Sequence, residues 1–309
     1  MRKTSWLMIS GLLTLLLVLA AACGGGDDQG SDDASSNQDG SNSGGALTQL
    51  LVSNPSEALG KSATTFADEV ESVQGKFSLS FTGGAFAGAM GGDFAFRAPD
   101  QVHMTMNLAM DGEDALVSLG DMNFEILMLG DQMYINTPLF GGWVVMSMDD
   151  LGVDGEQYQK LVEAKSPFDY GALVGGLDGV ENLGTEQIDG TTYTHLRVES
   201  DIAELIGAFG DSLSSGGLDP ATLSLDKVSG PFAFDLWVNP DSGLPFRVLA
   251  AGDLAIPGVT GTDGEAAIGF ELKFDFTDYN GNVDMPDAPK DAKSFVEIFG
   301  DLGSEDTGE

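Results

Sequence analysis

In the stretch "FAFDLWVNPDSGLPFRVLAAGDLAI", residues 232–256, Phe232, Phe234, Leu236 and Val238 alternate with Ala233, Asp235, Trp237 and Asn239. Successive side chains of a strand point to opposite faces, so this spacing predicts a strand with one oily side and one wetter side. Asn239-Pro240-Asp241-Ser242-Gly243 then separates it from a further strand. Pro presets the backbone for a turn, Asn and Asp bond their own main chain, and Gly accepts positive φ. Antiparallel sheets tolerate such two-faced strands; parallel sheets, buried on both sides, do not.

The same period recurs outward from there. Phe77, Leu79 and Phe81 alternate with Ser78 and Ser80. Val102, Met104, Met106, Leu108 and Met110 alternate with His103, Thr105, Asn107 and Ala109. Phe270, Leu272, Phe274 and Phe276 alternate with Glu271, Lys273, Asp275 and Thr277. Gly130-Asp131 precedes Gln132, and Asp189-Gly190 lies between Gln187-Ile188 and Thr192-Tyr193, where type I′ turns need positive φ. About ten strands follow from this spacing.

Helices are fewer. Asn54-Pro55-Ser56-Glu57 forms a cap signal, and Leu59, Ala63, Phe66, Val70 and Val73 then recur on one face. Further helical segments are expected over about 154–165, over 202–209 and over 294–299. The expected fold class is therefore α+β: a curved antiparallel half-barrel sheet of about ten strands wrapped over a few helices. Eight of the twelve methionines fall between residues 104 and 148: Met104, Met106, Met110, Met122, Met128, Met133, Met146 and Met148. Methionine is flexible and polarisable, so the cluster suits a lipid-accepting cavity; for each one singly, ordinary core filling is the simpler role.

The chain opens with Arg2 and Lys3 and then runs uncharged from residue 6 to 22. A spanning helix wants about 20 apolar residues, so the basic start, short oily run and small residues describe an export signal over 1–22. Ala20-Ala21-Ala22-Cys23 resembles the lipobox of bacterial lipoproteins, with Ala20 where Leu, Val or Ile is usual and Leu19 one place earlier. The resemblance makes Cys23 the lipidated first residue; cleavage after an Ala-x-Ala site, leaving a free thiol, is the alternative. Cys23 is the only cysteine, so no disulfide forms within the chain. Gly, Ser, Asp, Asn and Gln fill residues 24–45 with a single Ala34, too little to offset chain entropy, so 23–45 is expected to be a disordered tether. Its reach as a coil is roughly 25 Å. Residues 46–300 form one domain, and 301–309 an acidic disordered tail.

With 13 basic and 49 acidic residues, the formal net charge is −36. That sign argues against binding nucleic acid through a basic patch. No G-x-S-x-G, H-E-x-x-H, G-x-G-x-x-G or calcium-loop pattern occurs. His103 and His195 sit on the polar sides of their strands, where solvation or hydrogen bonding is expected, and two histidines cannot make a three-His zinc site. No catalytic residue, metal or cofactor is expected.

Four segments in order carry a family resemblance: "GDQMYINTPLFGGWVVMS" (130–147), "GTEQIDGTTYTHLRVESD" (184–201), the opening stretch (232–256) and "ELKFDFTDYNGNVDMPDAP" (271–289). Together they resemble the LppX/LprG type of lipoproteins within the LolA-like group of envelope lipid carriers, over about 47–289. The resemblance implies a half-open β-barrel curled over helices, with an apolar cavity for acyl chains of lipids or glycolipids. It transfers no fixed headgroup or catalytic motif. Strand alternation nominates Val102, Met104, Met106, Leu108, Met110, Phe234, Leu236, Phe270, Leu272 and Phe274 as cavity residues, with core packing as the alternative role of each. The expected function is a non-enzymatic lipid binding and transfer protein, exported and held on the extracytoplasmic side of a membrane through Cys23. A sensor or assembly protein that binds an envelope protein partner through the same fold is the alternative.

Overall fold

The computed structural model describes residues 43–83, 86–111, 122–147, 179–203, 228–256 and 266–299. The expected signal, Cys23, most of the tether, the helix over 154–165, the segment beyond 203 and the acidic tail lie outside the described residues. The elements are α1 (Ser43–Ser53), α2 (Pro55–Glu69), β1 (Ser72–Gly83), β2 (Phe86–Arg97), β3 (Gln101–Asp111), β4 (Met122–Leu129), β5 (Gln132–Thr137) and β6 (Gly142–Ser147). There follow β7 (Glu181–Ile188), β8 (Thr191–Asp201), β9 (Pro231–Val238), β10 (Pro245–Ile256), β11 (Ala266–Tyr279), β12 (Lys293–Ser294) and α3 (Phe295–Phe299).

All twelve strands belong to one open, curved sheet, ordered β12-β6-β5-β4-β3-β2-β1-β11-β10-β9-β8-β7. It is two antiparallel meanders, β1 to β6 and β7 to β11, joined where β1 pairs with β11. Only the two residues of β12 run parallel, against Val144 and Val145 of β6. The α+β half-barrel expectation holds, with twelve strands in place of about ten.

The turns form where the sequence places them. Asp189 adopts φ 51° and Gly190 φ 84° between β7 and β8. Between β9 and β10, the Asn239 side chain accepts from the amides of Asp241 (2.9 Å) and Ser242 (3.3 Å).

Helix α2 begins as its cap signal requires. Asn54 Oδ1 accepts from the Glu57 amide at 3.4 Å, its Nδ2 donates to Glu57 Oε2 at 2.7 Å, and Pro55 opens the helix. Leu59, Ala63 and Phe66 are buried on one face as expected. The helix does not continue through Val70 and Val73. Val70 is extended at φ −92° and ψ 105°, and Val73 already belongs to β1. The apolar period runs on because both elements bury the same face: Phe66 meets the rings of Phe276 at 5.8 Å and Tyr279 at 6.0 Å. Helix α1 was not anticipated, and it reaches back over the last residues of the expected tether; its Leu47 and Leu51 are buried. Ser294 falls in β12 rather than in the closing helix, which starts at Phe295.

Buried residues on the wetter side interrupt the two-faced pattern at Leu127 of β4 and His195 of β8, and most fully on β9. On β9 the expected wetter side is buried too, with Asp235 at 2% and Trp237 at 7% exposure. Side chains of β7, β8 and β10 pack over it, as described below.

At β1 the register against β11 shifts between Gln74 and Gly75. A Cβ on Gly75 would lie 2.1 Å from the Asp275 carbonyl oxygen and 2.8 Å from the Phe94 ring. Gly75→Ala is expected to cost about 2–3 kcal/mol through overpacking. Gly60→Ala, in the body of α2 with nothing within 4 Å of the new methyl, is expected to add about 0.5–1 kcal/mol. Urea denaturation midpoints moving in opposite directions check both.

Candidate functional site

The register sorts the side chains into rows that cross the sheet. One inner row runs Leu196, Leu236, Val248, Phe274, Phe77, Gly92, Met106 and Phe124 from β8 to β4. The next runs Val198, Phe234, Ala250, Leu272, Leu79, Met90, Leu108 and Met122. A third, toward the other end of the strands, joins Phe94, Met104, Ile126, Ile135 and Val144, and a fourth Val102, Met128, Met133 and Met146. Alternation therefore places nine nominated side chains on the inner face, and Met110 falls in register beside Gly88, its side chain outside the described residues.

Their burial divides them. Phe234 (1%) and Leu236 (0%) are fully enclosed, and Met106, Leu108 and Leu272 nearly so, which is how core residues behave. Val102, Met104, Phe270 and Phe274 are only half-buried against the same core. The pattern adds neighbours that alternation alone did not single out. Phe124 and Ile126 of β4 and Val248 and Leu254 of β10 are also half-buried on that core. The signal on β4 was blurred because "MNFEILML" carries Leu127 and Leu129 among its outward positions. Met133, Val144 and Met146 form a smaller cluster, against which Phe295 and Ile298 of α3 pack.

The outer face is polar and ordered. His195 Nδ1 lies 3.0 Å from Glu186 Oε1, and its Nε2 lies 2.6 Å from Asp235 Oδ1. Arg197 donates to both Asp235 oxygens, at 2.8 and 2.9 Å, and Trp237 Nε1 donates to Glu186 at 3.0 Å. His195 stacks on Trp237 with centroids 4.1 Å apart, and Arg247 lies over the far side of the same register row, 5.6 Å from the Trp237 ring. The hydrogen bond to Asp235 holds the Arg197 guanidinium above its ordinary pKa; desolvation works against that, and attraction to Asp235, Glu199 and Glu181 adds to it. A raised value belongs to a cation stabilised by folding, so the contribution is complete below arginine's ordinary pKa and is lost only in strong alkali. This cluster pins the edge hairpin to β9. His103 is likewise bonded, 2.9 Å from Glu125.

Two cavities open on the outside of the sheet. One of about 680 Å³ lies along β2 to β5, its lining including Gly91, Asp93, Thr105, Asn107, Asn123, Glu125 and Asn136. The other, of about 540 Å³, lies at the start of β1 beside Arg97 and Asn280. Neither is lined by the inner wall's apolar side chains, apart from Met106 and Phe124 at the floor of the first. Among the described residues no group of three or more His, Cys, Asp or Glu could hold a metal ion. No helix there is long and apolar enough to cross a membrane.

Neither a family model nor a curated protein matches the chain. Among solved structures it is similar to LprF from Mycobacterium bovis, at 15% identity over 76% of this chain and 97% of that one, with a TM-score of 0.43. It is similar to the Mycobacterium tuberculosis lipoprotein LppX at 16% identity over 76% and 100% of the two chains, with a TM-score of 0.39. MucB, as found in the Pseudomonas aeruginosa MucA/MucB complex, matches at 11% identity over 72% of this chain and 59% of that one, with a TM-score of 0.28. At such identities the likeness concerns the fold alone.

Asp235→Ala strips the acceptor from both His195 and Arg197 and is expected to cost about 2–3 kcal/mol, since hydrogen bonds to charged groups contribute more than neutral ones. Glu271→Ala, at an exposed position on β11, is expected to stay within about 0.5 kcal/mol. Thermal unfolding of the two variants side by side provides the measurement.

Proposed function

We propose that the protein binds acyl chains of a lipid or glycolipid against its inner sheet face and carries or shields them outside the cytoplasm, tethered to a membrane through lipidated Cys23. The observation that carries this is the run of half-buried apolar side chains in unbroken register, Val102 beside Met128 and Met104 beside Ile126. A core residue with no further role is sealed by its own neighbours, whereas these leave apolar surface for a guest. Burying an acyl chain gains about 0.8 kcal/mol per CH₂, so a long tail binds without specific polar contacts, and tails of several lengths are accepted. A strongly acidic surface keeps such a loaded carrier soluble and apart from anionic bilayers. The tether that follows Cys23 sets how far the domain ranges from its anchor.

Nothing in this activity asks for a catalytic group, and the nominated wall residues contribute shape and apolar area alone. Of the ten, the half-buried Val102, Met104, Phe270 and Phe274 are the stronger contacts, and Phe234 and Leu236 are enclosed core on the same face.

The test is mass spectrometry of lipids extracted from the purified protein, paired with a fluorescent fatty acid titration. Copurifying acyl lipid and saturable binding are expected, with Met104→Glu and Ile126→Glu each weakening the fatty acid about tenfold, roughly 1.4 kcal/mol. An empty protein that refuses the probe while crosslinking to an envelope protein would replace lipid carriage with the partner-binding alternative.

A further inference from the structure

The outer cavity on β2 to β5 has a chemistry that lipid binding does not use. Its floor is main chain, where Gly92, which has no side chain, stands beside Met106 and Phe124, whose side chains turn inward. Gly92 is held so close to β3 that a Cβ there would lie 1.7 Å from the Thr105 carbonyl oxygen. Two outward rows flank this floor. One runs Asp93, Thr105, Glu125, Asn136 and Trp143, and the other Gly91, Asn107 and Asn123. Gly91 has no side chain, which leaves that end of the second row open.

The carboxylates in the first row are already engaged. Asp93 is ion-paired with Lys76 at 2.5 Å, and Glu125 is bonded to His103. Beyond these two paired carboxylates, what the groove offers a ligand is neutral: the hydroxyl of Thr105 and the amides of Asn107, Asn123 and Asn136. Asn107 donates to Asn123 at 3.1 Å, which occupies one donor and one acceptor and leaves the other amide atoms of the pair, exposed, for a guest. No basic residue lines the groove, which disfavours an anion, and among the described residues no group of three or more His, Cys, Asp or Glu gathers there. A peptide would add to a strand edge or seek apolar sockets; this groove crosses the sheet face and has neither.

We propose that this groove binds a neutral polyhydroxylated ligand, a free glycan strand of the envelope, lying across β2 to β5. Asn107 and Asn123 stand at the strand spacing of about 4.8 Å, near the length of one sugar ring, and Thr105 and Asn136 at about twice that, so a glycan meets a neutral partner on each of β3, β4 and β5. Half-buried Trp143, next in the row after Asn136 and just outside the groove's lining, is the aromatic side chain that a glycan reaching past β5 would meet. The glycan belongs to a strand of its own and not to the headgroup of a bound lipid. A tail held on the inner face cannot pass its headgroup through a hydrogen-bonded sheet to the outer one.

The experiment titrates the full chain, solubilised in detergent, with chitotetraose, cellotetraose and mannotetraose, following Trp fluorescence and calorimetry. Saturable binding of at least one of these acyl-free sugars is expected, in the high-micromolar to millimolar range. Asn107→Ala with Asn123→Ala should weaken it about tenfold, as the loss of two ligand hydrogen bonds does. Met104→Glu on the inner face should leave it unchanged. Absence of binding by all three sugars overturns the proposal, as does binding that survives the double asparagine variant. Should that variant unfold, Gly91→Gln, which fills the open end with a long polar side chain, must reduce binding instead. A loss of fatty acid binding with sugar binding intact would strike the inner-face function alone.

Discussion

The pairing of β1 with β11 is the constraint on which the rest of the sheet depends. Each meander is local, built from neighbours in sequence, but the two become one sheet only where residues some two hundred positions apart align: Phe77 beside Phe274, Leu79 beside Leu272, Phe81 beside Phe270. A slip of one residue at this seam would turn every side chain of one meander to the opposite face. Asn280 fixes it. At φ 54° it takes a conformation few residues other than glycine adopt, its Oδ1 accepts from the amides of Glu71 and Ser72, and its Nδ2 donates to the Glu69 carbonyl at the end of α2. One side chain thereby satisfies groups that a helix end leaves orphaned and sets the first rung of the ladder.

With that register in place, two chemistries share one backbone without mixing. The inner rows are phenylalanine, leucine and methionine; the outer row running from His195 through Trp237, Arg247, Asp275, Lys76, Asp93, Thr105 and Glu125 to Asn136 is charged or polar at nearly every strand. Opposite charges stand next to one another along it, Arg247 bonding Asp275 and Lys76 bonding Asp93, both at 2.5 Å. In a chain of net charge −36, two of the thirteen Lys and Arg residues, Lys76 and Arg247, stand in this row and bond a carboxylate on the neighbouring strand. Lys76 and Asp93 are well exposed and contribute little energy; Asp235, enclosed beside His195 and Arg197, matters more.

Strand alternation was legible because it is local. Residues 102–110, 232–238 and 270–276 announce their faces in a dozen letters or fewer, and the fold class follows. Less legible were features that depend on partners distant in sequence. The burial of Asp235 and Trp237 on the supposedly wet side of β9 needs Glu186, His195 and Arg247, none of which a local pattern assigns to it. The end of α2 before Val70 was hidden because helix and strand bury one continuous apolar run. Helix α1 was masked by a start in Ser43, Gly44 and Gly45, residues whose composition continues that of the tether. For the nominated wall, alternation found the face but could not rank its members. Half-burial of Val102 and Met104 against full burial of Phe234 is a property of three-dimensional cover, and the outer groove depends on glycines whose meaning appears only beside Thr105 and Asn107.

The inner wall is itself divided, with β2 as the seam. On one side, phenylalanines interlock: Phe77 stacks on Phe274 at 6.2 Å, Phe94 meets Phe274 at 5.9 Å and Phe276 at 5.7 Å, and Phe232 stacks on Phe270 at 6.3 Å. On the other, Met128, Met133 and Met146 stand in line across β4 to β6. Strand β2 permits the change by presenting glycine where the aromatic rings need room; a Cβ on Gly88 would lie 2.4 Å from the Phe81 ring. Aromatic rings lock one another in few orientations, whereas a methionine has three rotatable bonds and repacks around whatever adjoins it. The sheet therefore has a stiff half of interlocked rings and a softer half, whose Met133 and Met146 are buried with Val144 against Phe295 and Ile298 of α3. The register that both faces require rests on the stiff half, where β1 meets β11 and the rings of Phe77 and Phe274 stack.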